Sequence, residues 1–251
     1  MTLPASHFNS IIGYDYFRIF SYRLVALITV TLLSACGVPA PDSSRPQPQR
    51  STHSVINEAL VDPSVTTLHL SGLRVTDRDL LLLTNSEHIT SLLIDSGDIT
   101  EKGLNPLTSM ENLIQLRIRA RLKDAAIPFI MKMTRLRFLN LPQADFTDDG
   151  ILALSSHPNI QLLRIGGQRL SNKSLESIAT MPSLSFLHLI NVPVNDHGLP
   201  ALYEMKQLQS LYLDDTHVTD EGLVKLLGKL PRLHLHINQT HIDRDPSKHE
   251  H

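Results

Sequence analysis

Histidines are the side chains whose type and spacing most directly suggest chemistry in this chain. Five of them lie near the C-terminus: His234, His236, His241, His249 and His251. Imidazole nitrogens are common ligands for zinc and copper, and two residues that are two apart on a strand share one face. No acid or cysteine completes a familiar ligand spacing around them. We therefore expect no metal site, and we interpret the histidines as a polar edge.

Catalysis by a nucleophilic serine, by a bound metal or on a bound phosphate has sequence patterns that this chain lacks. There is no Gly-x-Ser-x-Gly, no His-Glu-x-x-His and no phosphate-binding glycine loop. Adjacent acids occur at Asp148-Asp149 and Asp214-Asp215, but nothing pairs them with a base. We predict a non-catalytic protein without a cofactor. An enzyme with an unrecognised site is the alternative from another class.

A repeat of 24 residues supplies the elements that must position any site. A Leu-x-Leu or Leu-x-Ile segment returns eight times, and its first leucines are Leu68, Leu92, Leu116, Leu139, Leu163, Leu187, Leu211 and Leu235. Every step is 24 residues except the third, which is 23. A fixed period of this size predicts a stacked solenoid. The alternation within each segment predicts a short strand with one buried face.

A helix-start pattern follows each strand. In the last full repeat it reads Val218-Thr219-Asp220-Glu221-Gly222-Leu223. Threonine is a good helix N-cap, and acids in the first turn suit the positive end of the helix dipole. The position of Gly222 holds a small residue in most repeats. We therefore expect neighbouring coils to approach each other closely there.

These motifs resemble the leucine-rich repeat family, in the variant whose Thr-Asp-x-Gly-Leu segment opens the convex helix. The resemblance covers about residues 55–243. It implies an α/β solenoid of about seven full repeats plus terminal caps, with a curved parallel sheet on the concave side and helices on the convex side. The family's usual Asn or Cys after the strand is replaced by Leu73, Gly97, Ala144, Gln168, Val192 and Thr216. The usual asparagine ladder is therefore not expected.

Strand residues between the buried positions should face the concave side, where solenoids commonly bind. We predict a ligand-binding face formed by Arg117, Arg119, Phe138, Asn140, Arg164, Phe186, His188 and Tyr212. The arginines make the middle of the sheet basic, and the two phenylalanines should be exposed, as suits an acidic protein segment or an anionic glycan. An ordinary solvated face is the alternative.

The aromatic content favours a protein partner over a sugar. The chain has no Trp, and half of its Phe and Tyr residues precede residue 24. Binding of neutral sugar rings usually relies on stacking against such side chains. A neutral-carbohydrate site is therefore disfavoured.

Residues 1–35 are predicted to be a lipoprotein signal peptide. Arg18 and Arg23 precede an apolar run that ends in Leu33-Ser34-Ala35-Cys36, which is the layout of a secretory signal. The last four residues resemble the lipobox of bacterial lipoproteins. That resemblance implies cleavage before Cys36, the only cysteine, which then receives lipid. An uncleaved anchor is the alternative, but about 12 apolar residues are few for a membrane span.

The remaining chain divides by composition into three parts. Residues 36–52 form a tether rich in Pro and Ser, residues 53–243 the repeat domain, and residues 244–251 a polar tail. A formal net charge of −2 gives no sign of nucleic-acid binding. We predict a monomeric protein-binding module of a bacterial envelope lipoprotein, in the outer membrane if the host is Gram-negative. The alternative among binding proteins is a surface-displayed adhesin or host-interaction factor.

The lipid anchor gives the first testable prediction. Cys36→Ser should leave the precursor uncut and unlabelled by fatty acid, because the thiol is the atom that receives lipid. The wild-type protein should partition into detergent, and stable anchoring requires more than one acyl chain. Metabolic labelling with a fatty-acid analogue and a gel-shift assay measure both effects. Unchanged size and unchanged labelling of the variant would show that Cys36 is not the anchor.

Overall fold

The computed structural model describes residues 50–238 and the backbone of residues 240 and 241. The predicted signal peptide, Cys36, most of the predicted tether and the predicted polar tail therefore lie outside the described residues. The eight Leu-x-Leu segments form eight parallel strands of one sheet, and helices follow the strands along the chain. The predicted α/β solenoid is confirmed.

The strands, in chain order, are β1 (Thr67–Leu70), β2 (Val75–Thr76), β3 (Ser91–Ile94), β4 (Gly97–Asp98), β5 (Gln115–Ile118), β6 (Phe138–Leu141), β7 (Leu162–Gly166), β8 (Phe186–Ile190), β9 (Ser210–Asp214), β10 (His234–Ile237) and β11 (Thr240–His241). Strands β2 and β4 pair with each other in a separate small sheet. The other nine form the main sheet in sequence order, and β11 closes it antiparallel to β10.

The repeat leucines lie directly opposite one another across the main sheet. Leu163 pairs with Leu139 on one side and with Leu187 on the other, and all three side chains are fully buried. The register also holds across the short repeat, where Leu116 is opposite Leu139. The missing residue is therefore absorbed between the strands, and the strand faces stay aligned.

Helical segments cover the other side of the core. The α-helices are α1 (Thr52–Val61), α2 (Asp77–Leu80), α3 (Ile127–Ile130), α4 (Asp148–Leu154), α5 (Asn172–Ala179) and α6 (Asp220–Lys229). The 3₁₀ helices span Leu81–Leu83, Glu101–Ser109, Asp124–Ala126 and Leu199–Leu202. Pro106 and Pro200 lie inside two of these 3₁₀ segments. Proline lacks the N–H that the interior of an α-helix requires, which accounts for the 3₁₀ geometry around Pro106; Pro200 lies in the first turn of its segment, where a helix tolerates proline.

One continuous apolar core runs between the sheet and the helices. It begins at Ile56 and Ala59 of α1, which caps the first coil, and it extends to Leu235 of β10. Within the described part of the chain, no helix is both long enough and apolar enough to cross a membrane.

A ladder of side-chain hydrogen bonds joins the helix starts of consecutive coils. The Asp196 carboxylate accepts the backbone N–H of Thr219 at 2.8 Å and its hydroxyl at 2.6 Å. Equivalent bonds join Asp77 to Thr100, Asp124 to Thr147 and Asp148 to Ser171. Both hydrogen bonds lower the pKa of Asp196, and the bond from the Thr219 hydroxyl has the larger effect. These recurrent acids therefore cap the next coil, a role that the dipole argument from the sequence did not include.

The small residue in the helix-start pattern makes room for this carboxylate. A Cβ atom added at Gly222 would lie 2.3 Å from Oδ1 of Asp196, and one added at Gly150 would lie 2.2 Å from Oδ1 of Asp124. The same helix as Gly222 also contains Gly228, where an added Cβ would meet nothing within 4 Å. The close approach expected from the sequence is therefore a contact between a glycine and the acid of the preceding coil.

Two glycines of one helix should respond to alanine with opposite signs. We expect Gly222→Ala to lower the free energy of unfolding by about 1–3 kcal/mol, because the new methyl group displaces the capping carboxylate. Gly228→Ala should raise it by up to about 1 kcal/mol, the ordinary preference of a helix for alanine. Urea melts measure both changes.

A double-mutant cycle tests whether the Asp196 carboxylate causes the loss of stability in Gly222→Ala. The cost of Gly222→Ala should shrink when Asp196→Ala is already present, since the two side chains then no longer compete for one space. A cost that is the same in both backgrounds would show that the glycine is required for another reason.

Candidate functional site

The concave face is here the face of the main sheet opposite the helices. Its side chains come from strand positions between the buried leucines, and lateral pairing places them in rows. One row runs through His69, Leu93, Arg117, Asn140, Arg164, His188, Tyr212 and His236. A second row contains Phe138, Leu162 and Phe186. Of the eight predicted site residues, seven lie in these rows, and Arg119 follows the end of β5.

Arg117 and Arg119 are not free charges, because both share the carboxylate of Asp95. Nη2 of Arg117 lies 2.7 Å from Oδ1 of Asp95, and Nε of Arg119 lies 3.7 Å from the same oxygen. His69 approaches the other carboxylate oxygen through its Nε2 at 2.7 Å. Burial by itself raises the pKa of Asp95, but the His69 hydrogen bond and the arginine charges outweigh it, so the pKa is lowered. Asp95 therefore neutralises part of the positive charge that the sequence predicts for the middle of the sheet.

A second shared carboxylate lies after β6. Oδ2 of Asp145 accepts a hydrogen bond from Nη2 of Arg121 at 3.1 Å, and Nη1 of Arg169 lies 3.9 Å from the same oxygen. The arginine side chains remain 76% and 51% exposed, whereas that of Asp145 is only 13% exposed. Each carboxylate thus holds two arginines in place, and part of the positive charge stays open to solvent.

Phe138 and Phe186 are buried, at 5% and 3% exposure, and their expected exposure was wrong. Leu162 lies between them in the same row and is likewise buried. The guanidinium of Arg137 lies 5.7 Å from the centre of the Phe138 ring. Lateral contact therefore shields these rings, because neighbouring strands bring large side chains close together on one face.

Aromatic rings form a stack towards the C-terminal end of this face. Tyr212 contacts Phe186 at 5.0 Å between ring centres and stacks on His236 at 4.0 Å, with the two planes only 8° apart. His188 lies directly opposite Tyr212 on β8, with the two ring centres 5.3 Å apart. Tyr212 itself is half-buried. Of the predicted aromatic residues, it is therefore the one that a partner can reach directly.

His188 is buried and bonded to an acid. Its Nε2 lies 2.8 Å from Oδ2 of Asp214, within hydrogen-bond distance. Burial lowers the pKa of His188, and the nearby charge of Arg164 acts in the same direction. The hydrogen bond to Asp214 raises this pKa but does not offset the lowering. The neutral imidazole therefore predominates at neutral pH, and His188 contributes a hydrogen bond in place of a positive charge.

Asn140 and Arg164 occupy the centre of the face and are partly buried. Oδ1 of Asn140 has no hydrogen-bond partner within the part of the chain that the structure describes, and neither does Nε of Arg117 on the adjacent strand. Paired positions of β5 and β6 thus carry a donor, Nε of Arg117, and an acceptor, Oδ1 of Asn140. They lie between the arginines of this face and its aromatic rings.

His234 and His236 point their ring nitrogens at each other from β10. The two Nε2 atoms are 2.8 Å apart, so one nitrogen donates and the other accepts. Among the described residues, no group of three or more His, Cys, Asp or Glu side chains is arranged to hold a metal ion. His249 and His251 lie outside the described residues, and so does the side chain of His241.

The sequence reasoning missed the acids that organise this face. Asp95 directly follows the buried Ile94, and Asp214 directly follows the buried Leu213. Continuing the strand alternation two residues further along each coil places both acids on the concave side with Arg117 and His188. That signal was present in the sequence, but the predicted rows ended too early to include it.

Two buried histidines should make stability fall as the solution becomes mildly acidic. Burial lowers the pKa of His157, whose Nε2 bonds to the carbonyl of Met133, and it also lowers the pKa of His188. Near pH 6 the unfolded chain therefore binds more protons than the folded chain. Stability should be greatest above the ordinary histidine pKa of 6.5 and should decrease as the pH falls below it.

Urea melts between pH 7.5 and 5.5 measure this slope. The slope of stability against pH should become shallower in each of the single variants His157→Gln and His188→Gln. The exposed His217→Gln is the control that should keep the wild-type slope. A slope that survives both buried substitutions would place the titrating group elsewhere.

Comparison with known proteins relates this geometry to solved structures. No protein-family model matches the chain, and no curated protein matches it in sequence. An internalin C2 from Listeria monocytogenes superposes with a TM-score of 0.52 at 20% identity, covering 78% of this chain and 86% of that one. The internalin inlF from the same organism gives 0.50 at 17% identity, and the match covers 69% of this chain but only 54% of inlF. At such identities the likeness concerns the fold, and the chain has the leucine-rich repeat solenoid architecture of these internalins.

Proposed function

We propose that this protein is a non-catalytic protein-binding module that holds an acidic segment of its partner against the concave face. The observation that carries the proposal is the arginine cluster, defined as Arg117, Arg119, Arg121 and Arg169 with the two carboxylates that they share. Four guanidinium groups and two carboxylates leave an excess of two positive charges. Three of these arginines are at least 40% exposed.

The shared carboxylates make these arginines better binding groups. A long flexible side chain loses rotamer freedom when it is immobilised in an interface. Asp95 and Asp145 already restrict the arginines before a partner arrives, so less freedom remains to be lost. Planar guanidinium groups also form paired hydrogen bonds with carboxylates, which suits glutamate and aspartate side chains of a partner.

The apolar part of the interface is centred on Tyr212. Its ring is supported by Phe186 on one side and by His236 on the other. A half-buried tyrosine on a rigid support is a common hot-spot residue. Phe138 and Phe186 are too buried to be direct anchors, so we assign them to supporting the face.

Acid–base catalysis is not favoured by the way the acids are used. The recurrent aspartates at the helix starts accept hydrogen bonds from the next coil, as Asp124 does from Thr147. On the concave face, Asp95 and Asp214 are engaged by arginine and histidine side chains. These roles account structurally for Asp148 and Asp214, one member of each adjacent pair of acids in the sequence.

The place of action that we propose is the bacterial cell envelope. The lipobox-like end of the apolar run would attach Cys36 to lipid, and residues 36–52 would act as an extended tether. At about 3.1 Å per residue, such a tether would let the repeat domain stand up to roughly 50 Å from the membrane. The partner is then an envelope protein within that reach, in the outer membrane's vicinity if the host is Gram-negative.

Site-specific photocrosslinking in the host cell tests this function and identifies the partner. A photoreactive amino acid at Arg119 or Tyr212 should capture a protein, because both positions lie on the proposed interface. The matched positions on the helical side are Leu152 and Val224, which are 60% and 70% exposed. Capture only from the helical positions would overturn the proposed face.

Charge reversal tests the electrostatic part separately. Arg119→Glu with Arg121→Glu should slow association with the captured partner and weaken its salt dependence, since steering by charge acts mainly on association. The control is Lys102→Glu with Lys173→Glu, which makes the same charge change on the helical side. Equal effects of the two pairs would mean that only net charge matters, and not the arginine cluster.

A further inference from the structure

Strand β10, the last parallel strand of the main sheet, carries two histidines, of which His236 also supports the Tyr212 ring. From the convergence of their ring nitrogens, we infer that His234 and His236 form a two-histidine site for a borderline divalent metal ion of the zinc class. This replaces the expectation from the sequence that the histidines are only a polar edge. What changes the interpretation is a distance that spacing along the chain cannot give.

The spacing of the two nitrogens suits one shared ion. Their Nε2 atoms are 2.8 Å apart. Two imidazole nitrogens bound to one tetrahedral Zn²⁺ at about 2.0–2.1 Å would lie about 3.3 Å from each other. Each ring therefore needs to move by only a few tenths of an ångström to admit the ion between them, in place of the proton that they share.

The strand holds both rings in this arrangement before any ion binds. β10 pairs in parallel with β9 over four residues, and His234 and His236 lie opposite Ser210 and Tyr212. The Tyr212 ring stacks on His236 and fixes its plane. The rings of His234 and His236 meet edge to face, with their centres 4.6 Å apart. A ligand pair that is already oriented loses little freedom on binding.

Exposure of the two residues gives the ion a way in. His236 is 6% exposed, whereas His234 is half-buried, so the ion would approach from the side of His234. Neutral imidazole is the form that binds metal, and nitrogen ligands favour zinc-like ions over magnesium or calcium. Water can complete the coordination shell, and no catalytic role is needed for such an ion.

Titration of the full chain with Zn²⁺, followed by calorimetry, tests the site. Wild type should bind one ion at the strand, and His234→Ala with His236→Ala should lower the affinity more than about tenfold, because loss of even an outer-shell partner of a metal ligand typically costs about that much. Mg²⁺ should give no binding. The matched control is His249→Ala with His251→Ala, which removes two imidazoles from the tail and should leave the strand site intact.

A second variant protects the test against unfolding, because His236 is buried. His234→Gln alone should weaken Zn²⁺ binding while the melting temperature without metal stays near that of wild type. Zn²⁺ should raise the melting temperature of wild type and of the tail variant, since a ligand that binds only the folded state stabilises it. Equal Zn²⁺ affinity in wild type and in His234→Gln would overturn the inference. Loss of binding in the tail variant alone would do the same.

Discussion

No single coil of this protein can bury its own leucines, and the rest of the structure follows from that constraint. Each Leu-x-Leu segment presents one apolar face, and only the neighbouring coils and the helices behind them remove it from water. The eight strands therefore stack in register, with each first leucine opposite the next. The interactions of the helix starts and of the concave face are arranged on this fixed stack.

Stacking in register forces like positions to become neighbours about 4.8 Å apart. Such closeness is favourable for rings, as between Tyr212 and His236, and it is unfavourable for like charges. The arginines that follow β5 are accordingly matched by Asp95 and Asp145 from neighbouring coils. At the helix starts the same closeness lets an acid of one coil cap the next, provided that a small residue such as Gly222 leaves room.

The concave face therefore has two halves of different chemistry on one rigid support. Its N-terminal half is a network of arginines held by carboxylates, and its C-terminal half is a stack of tyrosine and imidazole rings. Burial lowers the pKa of His188 near the boundary, so this imidazole adds little positive charge at neutral pH. The partner that we propose would present an acidic part and an apolar part to these two halves. The histidine pair of β10 forms the C-terminal end of this stack, next to the closing strand β11.

The sequence by itself determined the solenoid, the strand register and the rows of the concave face. These depend on a period of 24 residues and an alternation of two, which act along the chain and are visible in it. It did not determine which charges remain free, because Arg117 meets Asp95 only when two coils are stacked. The burial of Phe138, the capping of Thr219 by the preceding coil and the approach of His234 to His236 were likewise decided by tertiary structure. In each case side-chain direction and the space left by a neighbouring residue set the outcome, and a linear pattern does not contain those quantities.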